Sequence, residues 1–131
     1  MYVGAAFTYQ INNRIKGDFL METRKHSKDF IVKYLRLYEI EESIIESLDA
    51  RGFFIAPVST KYHGAYEGGL ADHSYEVADA LQELTARLCL KWERSQSPII
   101  VGIMHDLCKC DKYYIDETTG AYEYVEKDIL S

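Results

Sequence analysis

The sequence predicts an all-α fold, a helical bundle with a small β-hairpin near its C-terminus. Three observations lead there. Apolar residues recur at spacings of three and four through much of residues 18–92, the period of a helix with one buried stripe. A later segment, Ile99, Ile100, Val101, Ile103, Met104 and Leu107, is apolar on nearly every side, as expected of a helix in the middle of a bundle. Finally, Tyr113-Tyr114-Ile115 and Tyr122-Tyr124 flank the turn-rich run Asp116-Glu117-Thr118-Thr119-Gly120, the pattern of a hairpin.

Taken in order, Phe7 to Gly17 has no clear period and reads as strand or irregular structure. Phe19, Leu20, Phe30, Ile31, Tyr34, Leu35 and Tyr38 predict one helix or a pair of helices over Asp18 to Tyr38, with Arg24, Lys25, Lys28 and Lys33 on the other face and His26 as a surface residue. Ile40 to Arg51 reads as a short helix directing Ile44, Ile45 and Leu48 inward, ended by Gly52. Ser59 to Gly69 is a loop in which Gly64, Gly68 and Gly69 permit tight turns or close approach to a ligand. No Walker or dinucleotide pattern surrounds those glycines, so they are better read as a sharp lead into the following helix. That helix is predicted from about Leu70 to Trp92, with Leu70, Val77, Leu81, Leu84 and Leu88 on its buried stripe and His73 on the same stripe, pointing inward. Ser97-Pro98 marks the next helix start, serine as N-cap and proline at the first helical position.

Composition restricts the functional classes. A length of 131 residues with 47% hydrophobic content fits one domain, 1–131, with one core. The net charge of -6 argues against a broad basic nucleic-acid surface, so an anionic substrate needs local positive charge, which a bound divalent cation supplies. The start of the chain lacks a basic n-region and a long apolar run, and no window reaches the roughly 18 apolar residues of a membrane span. Three cysteines without framework spacing read as reduced, ordinary buried thiols, and the expected location is the cytoplasm. Cys108-Lys109-Cys110 lacks the second pair that a soft-metal site needs. The eleven tyrosines and one tryptophan are scattered, which suits core and rim packing and not a base-stacking array.

The residues with chemistry are His73, the His105-Asp106 pair and His63 in the glycine loop. The pair interrupts the driest part of the chain. An unpartnered imidazole and carboxylate there would cost several kcal/mol, and a divalent cation compensates both. These N and O donors suit Mn, Fe, Mg, Zn or Co without selecting among them. Neighbouring helical residues diverge by about 100°, so both members of the pair can reach one ion only at its edge, with a third ligand brought across by another helix.

The runs Tyr62 to Val77 and Gly102 to Lys109 together resemble the HD-domain phosphohydrolase superfamily, and within it most closely the HD domain of bacterial YhaM-type 3′-to-5′ exoribonucleases. The resemblance covers roughly residues 60 to 110. It implies an HD-domain-like helical bundle in which His73, His105 and Asp106 are metal ligands. Lys109 matches a lysine that often follows the pair by three residues, placed to meet a phosphate oxygen or the carboxylate. His63 matches a loop histidine that contacts substrate or protonates a leaving group. With Asp106 these form the implied catalytic set.

The family's last ligand, an aspartate on a downstream helix, has no evident counterpart. Asp111 follows the pair too closely, Asp116 falls in the hairpin turn, and Asp128 is the least implausible substitute. The expectation is that the chain lacks its final helix or helices, or that water or a neighbouring subunit completes the site. The chemistry implied is hydrolysis of a nucleotide or oligonucleotide phosphoester by a metal-activated water, with a small nucleotide favoured by the acidic balance. The alternative is a non-catalytic metal- or nucleotide-binding module that serves as a sensor or partner surface, and oligomers are compatible with either.

Overall fold

The computed structural model describes residues 23–60 and 63–125. The predicted strand or irregular stretch at Phe7 to Gly17 and the candidate Asp128 lie outside them. Among the described residues the order is α1 (Lys28–Leu37), α2 (Glu42–Ala50), α3 (Gly69–Arg87), α4 (Ser97–Met104), a 3₁₀ turn (Leu107–Asp111), β1 (Tyr113–Ile115) and β2 (Tyr122–Tyr124). The chain is therefore mainly helical with a small antiparallel hairpin, whose register pairs Tyr113 with Tyr124 and Ile115 with Tyr122.

Local chemistry sets the boundaries. The Ser27 hydroxyl accepts from the Phe30 N–H and caps α1, which buries Ile31, Val32, Tyr34 and Leu35. The helix starts later than predicted, since residues 23–27 are non-helical. In α2, Ile45 and Leu48 face the core and Ile44 is half-buried. Its end is a Schellman motif. Gly52 has φ +84° and donates to the Asp49 carbonyl at 3.0 Å, and Phe53 donates to the Leu48 carbonyl at 3.0 Å. This turn sends Phe53 and Phe54 directly into the core, where their rings meet edge-on.

The loop that follows is pinned at both ends. Leu70 donates to the Ala56 carbonyl at 2.9 Å and Val58 to the Gly64 carbonyl at 3.1 Å. Gly69 lies against the Gly64 backbone, too close for any side chain.

The main helix pair is α3 with α4. His73 lies opposite His105 and Ala78 opposite Gly102, so the two helices run antiparallel. The structure corrects the sequence reading of both. Helix α3 stops at Arg87 and not at Trp92, and of the predicted stripe only Leu70 is fully buried, while Leu84 and Leu88 are exposed. The reason is length. At about 1.5 Å per residue, the eight residues of α4 cover less than half of the nineteen in α3, and the end of α3 overhangs. Trp92 folds back to donate to the Thr85 hydroxyl at 2.9 Å. Helix α4 is not central either: Ile99 and Ile103 are buried, but Val101 faces outward at 49% exposure. Its N-cap is Gln96, whose side chain ties the helix to the Tyr38 and Glu39 carbonyls, and Ser97 is the first helical residue. The cysteine expectation also fails, because Cys89 and Cys108 are exposed and only Cys110 is half-buried, all three as free thiols.

Candidate metal centre

The placement of His105 and Asp106 begins with the end of α4. The helix stops at Met104; His105 keeps right-handed helical backbone, whereas Asp106 turns to φ -115° before the 3₁₀ turn. This break changes the geometry of adjacent side chains. On a continuous helix they would diverge by about 100°, but here the His105 Nε2 and Asp106 Oδ2 atoms lie 3.3 Å apart. Across the helix pair, His73 Nε2 stands 3.2 Å from His105 Nε2 and 3.4 Å from Asp106 Oδ2. Two segments far apart in sequence therefore deliver three donor atoms to one point.

The triangle suits a cation. Donors bonded at about 2.0–2.1 Å lie about 3.3 Å apart around a tetrahedral ion and about 2.9 Å apart around an octahedral one, and the observed edges of 3.2 to 3.4 Å are of that size. The tautomer fits as well. His105 Nδ1 lies 2.7 Å from the Gly102 carbonyl, which can only accept, so Nδ1 carries the proton and Nε2 is the ring nitrogen left to ligate in the neutral form. Burial, followed by the neighbouring His105, holds His73 below the usual imidazole range, with Asp106 pulling the other way. Its neutral, ligating form is thus favoured.

The three side chains were expected in the dry interior, but those of His73 and His105 are 33% exposed and that of Asp106 24%. They sit at the rim of the α3–α4 pair, open to solvent. Cavities of about 480 and 820 Å³ lie on the hairpin side, both lined by Glu67, Ile115 and Tyr122, and neither reaches the triangle.

No family model, curated protein or solved structure matches the chain.

The other expected residues are placed as follows. Lys109 lies beside the triangle, with Nζ 3.9 Å from Asp106 Oδ2, and it donates to the Val58 carbonyl at 2.9 Å. Tyr113 donates to the same carbonyl at 3.2 Å, so the 3₁₀ turn and β1 are both fastened to the glycine loop. His63 is exposed on that loop and is not among the three converging donors; its carbonyl accepts from the Ser59 hydroxyl at 3.0 Å. Asp116 belongs to the hairpin turn, where it accepts from Thr118 N–H at 2.8 Å.

Sequence reasoning missed a second polar layer. Asp72, 2% exposed, accepts from the Lys25 and His26 backbone N–H groups at 2.7 and 2.9 Å and from the Tyr66 hydroxyl at 2.6 Å. This pins the segment before α1 onto the start of α3, immediately beside His73. His26, expected at the surface, is instead half-buried between the rings of Phe30 and Tyr75. An aspartate in the first turn of a helix ordinarily complements the helix dipole in solvent, so nothing local marks Asp72 as interior.

Proposed function

We propose that this chain is an HD-type metal-dependent phosphohydrolase acting on a nucleotide or the end of an oligonucleotide. The observation that carries this reading is the triangle of His73, His105 and Asp106, of a size and tautomeric state suited to one divalent cation. When bound, such a cation supplies Lewis acidity toward a phosphoryl oxygen and makes a neighbouring water more acidic. The donor set leaves Mn, Fe, Mg, Zn and Co undistinguished.

The protein residues have separate tasks in this account. His73, His105 and Asp106 hold the cation on the α3–α4 rim, and the exposed side of the triangle leaves room for substrate and water. Lys109, fixed by the Val58 carbonyl, faces charge developing on the phosphoryl group. His63 is proposed to meet the substrate from the glycine loop. The net charge of -6 favours a small nucleotide over a long polyanion, and the cytoplasm remains the proposed location. No helix among the described residues is long and apolar enough to cross a membrane.

A second reading is a non-catalytic metal- or nucleotide-binding module. It is favoured by the count of three donors among the described residues and by their absence from the linings of the two cavities. Incubating metal-loaded protein with a panel of nucleotides and a generic phosphodiester, beside a His105→Ala/Asp106→Ala variant, separates the two. Turnover lost in the variant supports the hydrolase, whereas stoichiometric metal without turnover on any substrate supports the binding module.

A further inference from the structure

From the larger cavity beside the hairpin we infer a second binding site, for a nucleoside monophosphate, that shares no lining residue with the metal triangle. It holds whether or not that triangle hydrolyses phosphoesters. The cavity measures about 820 Å³, within the roughly 300–1,000 Å³ of small-molecule sites. Three separate stretches of chain wall it: the segment before α1, the glycine loop and the hairpin.

Arg24 supplies the anion site. Its side chain lines the cavity and lies against Gly68, where the lack of a Cβ gives the guanidinium room. Nη2 donates to the Phe54 carbonyl and Nε is buried without a partner, which leaves Nη1 to meet an incoming anion. Among the described residues no carboxylate pairs with this half-buried charge. A cation withdrawn from water without a counter-ion is unfavourable, so an anion from outside is favoured there. Phosphate meets a guanidinium through strong, charge-assisted hydrogen bonds. Thr23 and Thr119 line the same cavity, and the Thr119 hydroxyl accepts from the Ala121 N–H at 3.2 Å, so its O–H is available to a phosphate oxygen.

The other walls suit a base. Ile115 of β1 and Tyr122 of β2 are direct cross-strand partners, so their side chains share one face of the hairpin, and both line the cavity. An aromatic ring beside a branched aliphatic chain is a stacking surface for a flat ring. Glu67 also lines the cavity; burial first, then the Glu67 charge, raises the Tyr122 phenol above its usual range, which puts the carboxylate near that ring. A carboxylate only accepts hydrogen bonds, so it selects a base edge that carries N–H groups. Guanine, with adjacent ring N–H and amino donors, matches it best.

The test is titration of the full chain with guanosine monophosphate, read by calorimetry and by amide NMR spectra, after chelation of metal and again with manganese(II) added. Binding is expected without metal, with spectral changes at Thr23, Glu67 and Thr119 to Tyr122 and not at His73 or His105. Arg24→Met keeps the aliphatic stem and removes the charge; it is expected to weaken guanosine monophosphate about tenfold and guanosine little. Glu67→Gln is expected to weaken guanosine monophosphate several-fold and not to weaken ribose phosphate. Circular dichroism checks the fold of each variant, and Thr119→Val, at the exposed hairpin tip, is expected to lose several-fold in affinity independently of how Arg24 packs. No metal-free binding at millimolar ligand, changes confined to the triangle, or parental affinity in folded Arg24→Met and in Thr119→Val would overturn the site. Ribose phosphate bound as tightly as guanosine monophosphate would overturn its assignment to a nucleotide. A missing metal ion or absent phosphoester turnover would count against the hydrolase reading alone, since the cavity is read without either.

Discussion

Gly102 of α4 faces Ala78 of α3 so closely that a Cβ built on Gly102 would run into the Ala78 Cα and lie 2.7 Å from its Cβ. This contact sets the separation of the two helices three residues from His105 and five from His73, and the 3.2 Å between their Nε2 atoms depends on it. Replacement by alanine sets two effects against each other. Intrinsic helix propensity favours alanine by about 1 kcal/mol, while forcing a methyl group into a backbone contact costs about 1–3 kcal/mol. The clash involves backbone and cannot be relieved by a rotamer change, so Gly102→Ala is expected to lower the denaturation midpoint and to weaken metal binding together. A variant more stable than the parent would show that the helices separate freely.

Asp72 carries a different part of the site. Its buried carboxylate accepts three hydrogen bonds, and an asparagine there would turn an NH₂ group toward at least one N–H or O–H donor. Asp72→Asn is expected to cost about 2–3 kcal/mol in urea unfolding, against about 1 kcal/mol for Tyr66→Phe, which removes one donor. Equal costs for the two variants would contradict the central role of the carboxylate.

Lys109 is predicted to act on the reaction and not on the metal. Lys109→Met should leave metal stoichiometry intact and lower kcat/KM for a phosphoester by about a hundredfold, the scale of losing one charge-stabilising donor. Loss of metal from this variant would place Lys109 in the support of the triangle.

Tyr113 gives a prediction in alkali. Burial, reinforced by the neighbouring Tyr124, raises its phenol from 10.0 to about 12. The folded pKa lies above the unfolded one, so the stabilisation is complete below pH 10 and is lost as pH rises toward about 12. Ultraviolet titration of phenolate formation should show one late tyrosine missing from Tyr113→Phe. Identical titration curves would refute the shift.

Much of this was legible in the sequence, and the failures share a cause. Period, start and stop signals and one all-apolar run revealed the helices, and residue alternation the hairpin, because these patterns are local. The convergence of His73 with His105 and Asp106 was anticipated through the paired motifs, not through spacing, since on an unbroken helix His105 and Asp106 would diverge. What sequence could not show was how far one helix covers another. The short α4 leaves Leu84 and Leu88 exposed on α3 and puts the three donors on a rim, although the same residues read as core from their period. Asp72 and His26 were missed for the complementary reason: a charged or polar residue is read as solvated until a distant segment is known to supply its partners.

Metal stoichiometry is the most direct test of the central claim. The parent protein, single variants His73→Ala, His105→Ala and Asp106→Ala, and the triple variant would each be dialysed against cobalt(II) or manganese(II). Bound ion would be counted by elemental analysis and folding checked by circular dichroism. The account predicts one ion per parent chain, a large loss in each single variant and none bound in a folded triple variant. One ion still held by the triple variant, or none by the parent, would contradict it.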